Sequence, residues 1–197
     1  MGQQQAPAER NTYHIKMNIV RKHTFFLFFI AAAALLQGCK KIEESINLGF
    51  NNAGDFPMPP NMPVNTPFTT PAFPSSFNLQ EEMEKNNMNI NHVKETRLAY
   101  LRLNIKSPSG HDFTFLKDIE VRLKKEGVGE KVVAWKYDVS EETGDFLDLD
   151  ITDDVLDDYL KTNYFEMVVT FTTDKVLSEM LTLSYDLRVN VKANVFK

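Results

Sequence analysis

Residues 181–195 read LTLSYDLRVNVKANV: Leu181, Leu183, Tyr185, Leu187, Val189, Val191, Ala193 and Val195 alternate with Thr182, Ser184, Asp186, Arg188, Asn190, Lys192 and Asn194. Successive side chains of a strand point to opposite faces, so a period of two predicts a strand with one face in a core and the other in water. Fifteen residues at about 3.3 Å each would span about 50 Å, far beyond the usual strand, so a bend or bulge is expected along it.

The same period returns upstream. Leu101, Leu103 and Ile105 alternate with Arg102, Asn104 and Lys106, ahead of a turn marked by Pro108 and Gly110. Ile119, Val121 and Leu123 alternate with Glu120, Arg122 and Lys124, and the loop at Gly127 and Gly129 leads to Val133, Trp135, Tyr137 and Val139. Leu147, Leu149 and Ile151 flank Asp148 and Asp150, and Phe165, Met167, Val169 and Phe171 form a further row. Residues 93–106 supply the other long strand, expected to pair with 181–195 at the centre of the fold.

Two short helices are predicted among the strands. Asn78-Leu79-Gln80-Glu81 has the form of a capping box, with Leu79, Met83 and Ile90 to one side and an outward Glu81–Lys85 pair. Thr152 can cap a second helix, with Asp153 and Asp154 in its first turn and Val155, Leu156, Tyr159 and Leu160 on one face. Short strands without strand-helix-strand alternation give a mainly β class and an antiparallel β-sandwich. The pattern resembles fibronectin-III and immunoglobulin-like domains. That resemblance implies the layered architecture only, since Trp135 has no disulfide to pack against in a chain whose one cysteine is Cys39.

Seven of the nine prolines fall between Phe50 and Ser76. Proline lacks the amide donor and disfavours helix in the residue before it, so this stretch predicts neither a helix nor a central strand. In polyproline II form its 27 residues would reach roughly 80 Å, as a semi-rigid spacer. From about Val64 the added aromatics Phe68, Phe73 and Phe77 predict docking on the domain as an edge strand. The expected organisation is a presequence at 1–38, a tether at 39–63 and the sandwich at 64–197.

The presequence has its own order. Arg21 and Lys22 precede a twelve-residue apolar run from Phe25 to Leu36, after which comes Leu36-Gln37-Gly38-Cys39. A basic segment followed by an apolar one too short to span a bilayer reads as a secretory signal, whose natural start is Met17. Its end resembles a bacterial lipoprotein lipobox, with Leu36 three before the cysteine, Gln37 next and the small Gly38 adjacent. The resemblance implies diacylglyceryl transfer to Cys39 and cleavage before it. Ordinary signal cleavage after the small residues Ala32 to Ala34 is the competing reading. Behind the cysteine, Lys40-Lys41-Ile42-Glu43-Glu44 resembles the lysine-then-acidic export signal of surface lipoproteins, although Ile42 interrupts it; the competing and preferred reading is a solvated, charged start to the tether. Position 40 is also not the aspartate that retains lipoproteins in the inner membrane of enteric bacteria, so the expectation is an outer-membrane lipoprotein, periplasmic or surface-exposed.

Residues 1–38 hold four of the 22 Lys+Arg and one of the 27 Asp+Glu, which leaves the remainder at a net charge of −8. Such a surface repels phosphate backbones and predicts no nucleic-acid partner. Only His92 and His111 remain as histidines, so Cys/His zinc sites are not expected, and the nucleophile-elbow, Walker and dinucleotide glycine patterns are missing. No cofactor is predicted. Between Asp138 and Asp158 stand ten acids and no base. Asp148, Asp150, Asp153 and Asp154 could offer oxygens to calcium at a strand-to-helix corner. The competing and preferred reading has Asp148 and Asp150 facing water and the other two serving a helix end. The function expected is a lipid-anchored envelope protein with a non-catalytic binding or structural domain, meeting an envelope protein or glycan. A carbohydrate-active or other hydrolytic envelope enzyme using paired carboxylates is the alternative.

Overall fold

In the computed structural model the described residues are 44–162 and 164–195. These residues form one compact unit of two antiparallel sheets packed as a sandwich, with two short helices. The first sheet has the order β1 (Ser45–Met58), β10 (Leu181–Asn194), β4 (Val93–Ser107), β7 (Phe146–Asp148). In the second, β9 (Glu166–Thr173), β5 (Leu116–Lys125), β6 (Gly129–Lys136) and β8 (Asp150–Ile151) lie in line, and the short β2 (Phe68–Thr69) and β3 (Phe73–Pro74) both pair with β9.

The central pairing is the one the alternation predicts. Leu181, Leu183, Tyr185, Leu187, Val189, Val191 and Ala193 are all buried, and β10 pairs with β4 along nearly its whole length. Three register shifts, at Thr182/Leu183, Arg188/Val189 and Lys192/Ala193, supply the irregularity that so long a strand requires. The chain changes sheets within one residue between β7 and β8. There the Leu149 N–H donates to the Leu101 carbonyl of β4 at 3.0 Å, and the Thr152 N–H to the Val133 carbonyl of β6, also at 3.0 Å.

Helix α1 (Leu79–Lys85) is capped as expected: the Asn78 side-chain oxygen accepts from the Glu81 N–H at 3.3 Å, and Leu79 and Met83 are buried. Its lysine pairs one position later than predicted, with Glu82 rather than Glu81. The second helix is shorter than predicted. Thr152 and Asp154 close a local turn through the Thr152 hydroxyl, and α2 is the single turn Asp157–Leu160, with Leu156 as a cap lacking any side-chain bond. Asp157 instead turns to β4, accepting from the Thr96 N–H at 2.8 Å and from the Thr96 hydroxyl at 2.9 Å.

Two expectations are overturned. Within the expected tether at 39–63, residues 45–58 do not form a spacer: β1 occupies Ser45–Met58 and pairs with β10 at all fourteen positions, burying Phe50, Phe56 and Met58, while 39–43 lie outside the described residues. An edge strand tolerates what a central one does not, and the only proline within β1 is Pro57, next to its end. The predicted docking of the second half does hold, in two short pieces, β2 and β3. The row Val133, Trp135, Tyr137, Val139 is also broken. A register shift at Val121/Arg122 changes the phase of β6, so that Trp135 lies opposite Glu120 and Tyr137 is 50% exposed.

Candidate functional surface

The water-facing side of the first sheet is a grid whose rows follow from the ladder register. Asn51, Arg188 and Tyr100 form one row, Gly49, Asn190 and Arg97 the next, and Asn47, Lys192 and Glu95 the third. Gly49 leaves a gap in the middle row that the Arg188 guanidinium occupies: a Cβ built on Gly49 would lie 2.0 Å from Arg188 Nη2. Arg188 also donates to Asn51 Oδ1 at 3.3 Å, and Arg97 to Glu95 at 3.4 Å. These rows line a shallow depression of about 440 Å³ in which Arg97, Arg188 and Lys192 outnumber Glu95.

The other half of the same face is occupied by ion pairs. Arg102 grips Asp148 through two hydrogen bonds of 2.6 and 2.7 Å, and its guanidinium lies 4.6 Å from the Phe146 ring centre. The Arg102 hydrogen bonds hold the Asp148 carboxyl below the usual carboxylate range and raise Arg102 in turn. Asn104 donates to Asp186 at 3.0 Å, and Lys106 pairs with Asp55.

The four candidate calcium residues are thus dispersed among separate cations. Asp148 belongs to Arg102, Asp150 to Lys136 at 3.3 Å, and Asp154 to Lys131 at 2.8 Å, while the Asp153 carbonyl accepts from Arg97. Lys131 and the Thr152 hydroxyl hold the Asp154 carboxyl below its ordinary value. Among the described residues no three His, Cys, Asp or Glu side chains converge as a metal site. The His111 ring meets Glu179 at 3.0 Å. The Asp112 carboxyl is lowered by the hydroxyl and amide of Thr114. The three displaced carboxyls, Asp112, Asp148 and Asp154, all move downward, away from what a general acid needs.

A third feature lies along the side of the sandwich, where the outer strands β1 and β2–β3 approach each other. Phe56 and Phe73 stack there at 5.7 Å, and Phe68 stacks on Phe171 at 5.6 Å. With Pro57, Pro71 and Met180, the rings of Phe56, Phe68 and Phe73 line an apolar groove of about 390 Å³. Sequence reasoning missed it because it assigned the β1 half of this wall to a spacer. The even spacing of Ile46, Leu48, Phe50, Phe56 and Met58 was the available signal, interrupted by Asn52 and Gly54.

The lipobox residues Leu36, Gln37 and Gly38, and Cys39 itself, lie outside the described residues. Among the described residues no helix is long and apolar enough to cross a membrane. No family model matches this chain, and no curated protein matches it.

Proposed function

We propose that this chain is a lipid-anchored protein of the cell envelope, in the outer membrane, whose sandwich is a non-catalytic binding module for an envelope protein or glycan. The observation that carries this reading is the apolar run that ends in Leu36-Gln37-Gly38-Cys39. Only residues 40–44 separate Cys39 from the start of β1, and five residues extend at most about 18 Å. A domain anchored there lies against the bilayer surface, and its reach comes from its own length. The outer face of the first sheet offers amides, guanidinia and tyrosine, already paired with one another, which suits recognition better than proton transfer. An immunoglobulin-like or fibronectin-III-like architecture accords with two antiparallel layers. The antibody fold keeps its last strand beside the one before it, whereas β10 here crosses to the opposite sheet from β9.

Two or more acyl chains, at about 0.8 kcal/mol per buried methylene, hold a protein on a membrane where one does not. Cys39→Ser is expected to abolish incorporation of labelled fatty acid and to shift the chain out of the detergent-extracted membrane fraction. Labelling that persists in this variant overturns the reading.

A further inference from the structure

The outward edge of β1 points to a partner. The Val195 N–H donates to the Glu44 carbonyl at 3.0 Å, which fixes the parity of the β1–β10 ladder. In an antiparallel pair the bonded residues alternate, so Ile46, Leu48, Phe50 and every second residue to Met58 direct their backbone groups at β10. Ser45, Asn47, Gly49, Asn51, Ala53 and Asp55 direct theirs away from it. Pro57 shares that parity, so its missing N–H falls on the open side, where a proline is tolerated. Among the described residues no backbone group bonds to this edge.

Exposed edges are ordinarily blunted by charge, proline, bulges or brevity. β1 has little of this protection: it runs fourteen residues without a register shift, and residues 45–54 carry no charge. We propose that this edge pairs antiparallel with the β1 of a second copy, joining two four-stranded sheets into one of eight. The self-pairing follows from the strand's own sequence. A two-fold axis at Gly49 sets Ser45 opposite Ala53 and Asn47 opposite Asn51, and leaves the Asp55 carboxylates beyond the paired segment. The paired segment, residues 45–53, is about 30 Å long, and the adjoining side of a sandwich is about 10 Å deep. Two copies would then cover roughly 600 Å² together, the size of a weak and reversible contact.

This inference goes beyond the proposed anchoring and does not require it. The test introduces single cysteines at Asn47, Gly49, Asn51 and Ala53 of the full chain and oxidises whole cells that make it. Only Gly49 is opposed to its own copy, about 5.5 Å apart at Cα and within disulfide range, whereas Asn47 faces Asn51 and Ala53 faces Ser45. A dimer band of twice the chain's mass is expected, strongest at Gly49 and falling to either side, with none for cysteine in place of Val128 on the distant 127–129 loop. The doubly substituted Asn47→Lys/Asn51→Lys chain, with like charges across the axis, is expected to lose the Gly49 band at least tenfold while its melting temperature holds. No band, equal bands at all positions including 128, a band unaffected by the lysines, or a product of another mass would overturn the pairing. The unsubstituted chain reports separately on the anchor: a disulfide dimer there would mean that Cys39 is a free thiol, which refutes lipidation and leaves the pairing intact.

Discussion

β1 and β10 are partners over the same fourteen positions, yet they are written differently. The inward row of β10 is apolar throughout and entirely buried from Leu181 to Ala193. That of β1 runs Ile46, Leu48, Phe50, Asn52, Gly54, Phe56, Met58, of which only Phe50, Phe56 and Met58 are buried. A strand with neighbours on both sides lies over the core along its length and must carry an unbroken apolar row. A strand at the margin takes its register from the neighbour, and positions past the core's limit are free to be polar or absent. Asn52 and Gly54 illustrate this. The Tyr185 hydroxyl reaches Asn52 Oδ1 at 3.3 Å, and its ring lies across Gly54, where a Cβ would come within 2.5 Å of the hydroxyl oxygen. Burial raises the Tyr185 hydroxyl above its usual value, against a smaller opposing effect from Ser76 and Ser75.

The contrast breaks most sharply on the central strand. Val189→Asp buries an unpaired charge and is expected to cost about 3–5 kcal/mol, enough to unfold the domain, whereas Arg188→Asp on the water side should cost about 0.5 kcal/mol. Urea unfolding of the two variants checks this, and equal midpoints would mean that the faces are misassigned. Phe56→Ala asks whether the marginal strand belongs to the core: a loss of about 3 kcal/mol is expected, and a loss near zero would restore residues 45–58 to a tether. Gly54→Ala is expected to cost about 1–3 kcal/mol by displacing the Tyr185 ring, measured as a fall in melting temperature beside an unaffected Ala53→Ser control.

The smallest effect lies on the far side of the sheet. Because Arg102 lowers the Asp148 carboxyl, the pair's stabilisation is fully present above the ordinary carboxyl value near 3.8 and is lost as pH falls through the lowered one. Asp148 is 60% exposed, so the energy involved is small. Carboxyl carbon titration by NMR should show the Asp148 midpoint rising toward its ordinary value in Arg102→Ala, and no movement would mean that the bidentate contact does not persist in solution.

The layers, the central pairing, the capped helix at Asn78 and the docking of Phe68 and Phe73 were all legible, because each rests on spacing within a short window. Three things were not. The bulge opposite Val121 moved Trp135 out of phase, and a bulge has no signature in alternation alone. Asp157 drew the second helix back to a single turn by bonding Thr96, sixty-one residues away. The strand status of residues 45–58 was hidden by the prolines that follow it. Of the candidate sites, the acidic segment was legible as a water-facing charge run, while its pairing with Arg97, Arg102, Lys131 and Lys136 depended on strand neighbours that sequence order does not reveal.

The register of β1 with β10 also sets how the domain responds to tension. Ser45 lies opposite Asn194, so the chain enters and leaves the first sheet at the same end. A pull that arrives ahead of Ser45, resisted just past Asn194, loads the ladder one pair at a time and opens it as a zipper. The same pull resisted ahead of Leu181, at Met180, would load all fourteen pairs together in shear. Resistance to being drawn from a surface therefore depends on where the load is held, and a hold near the apolar groove is the strong one.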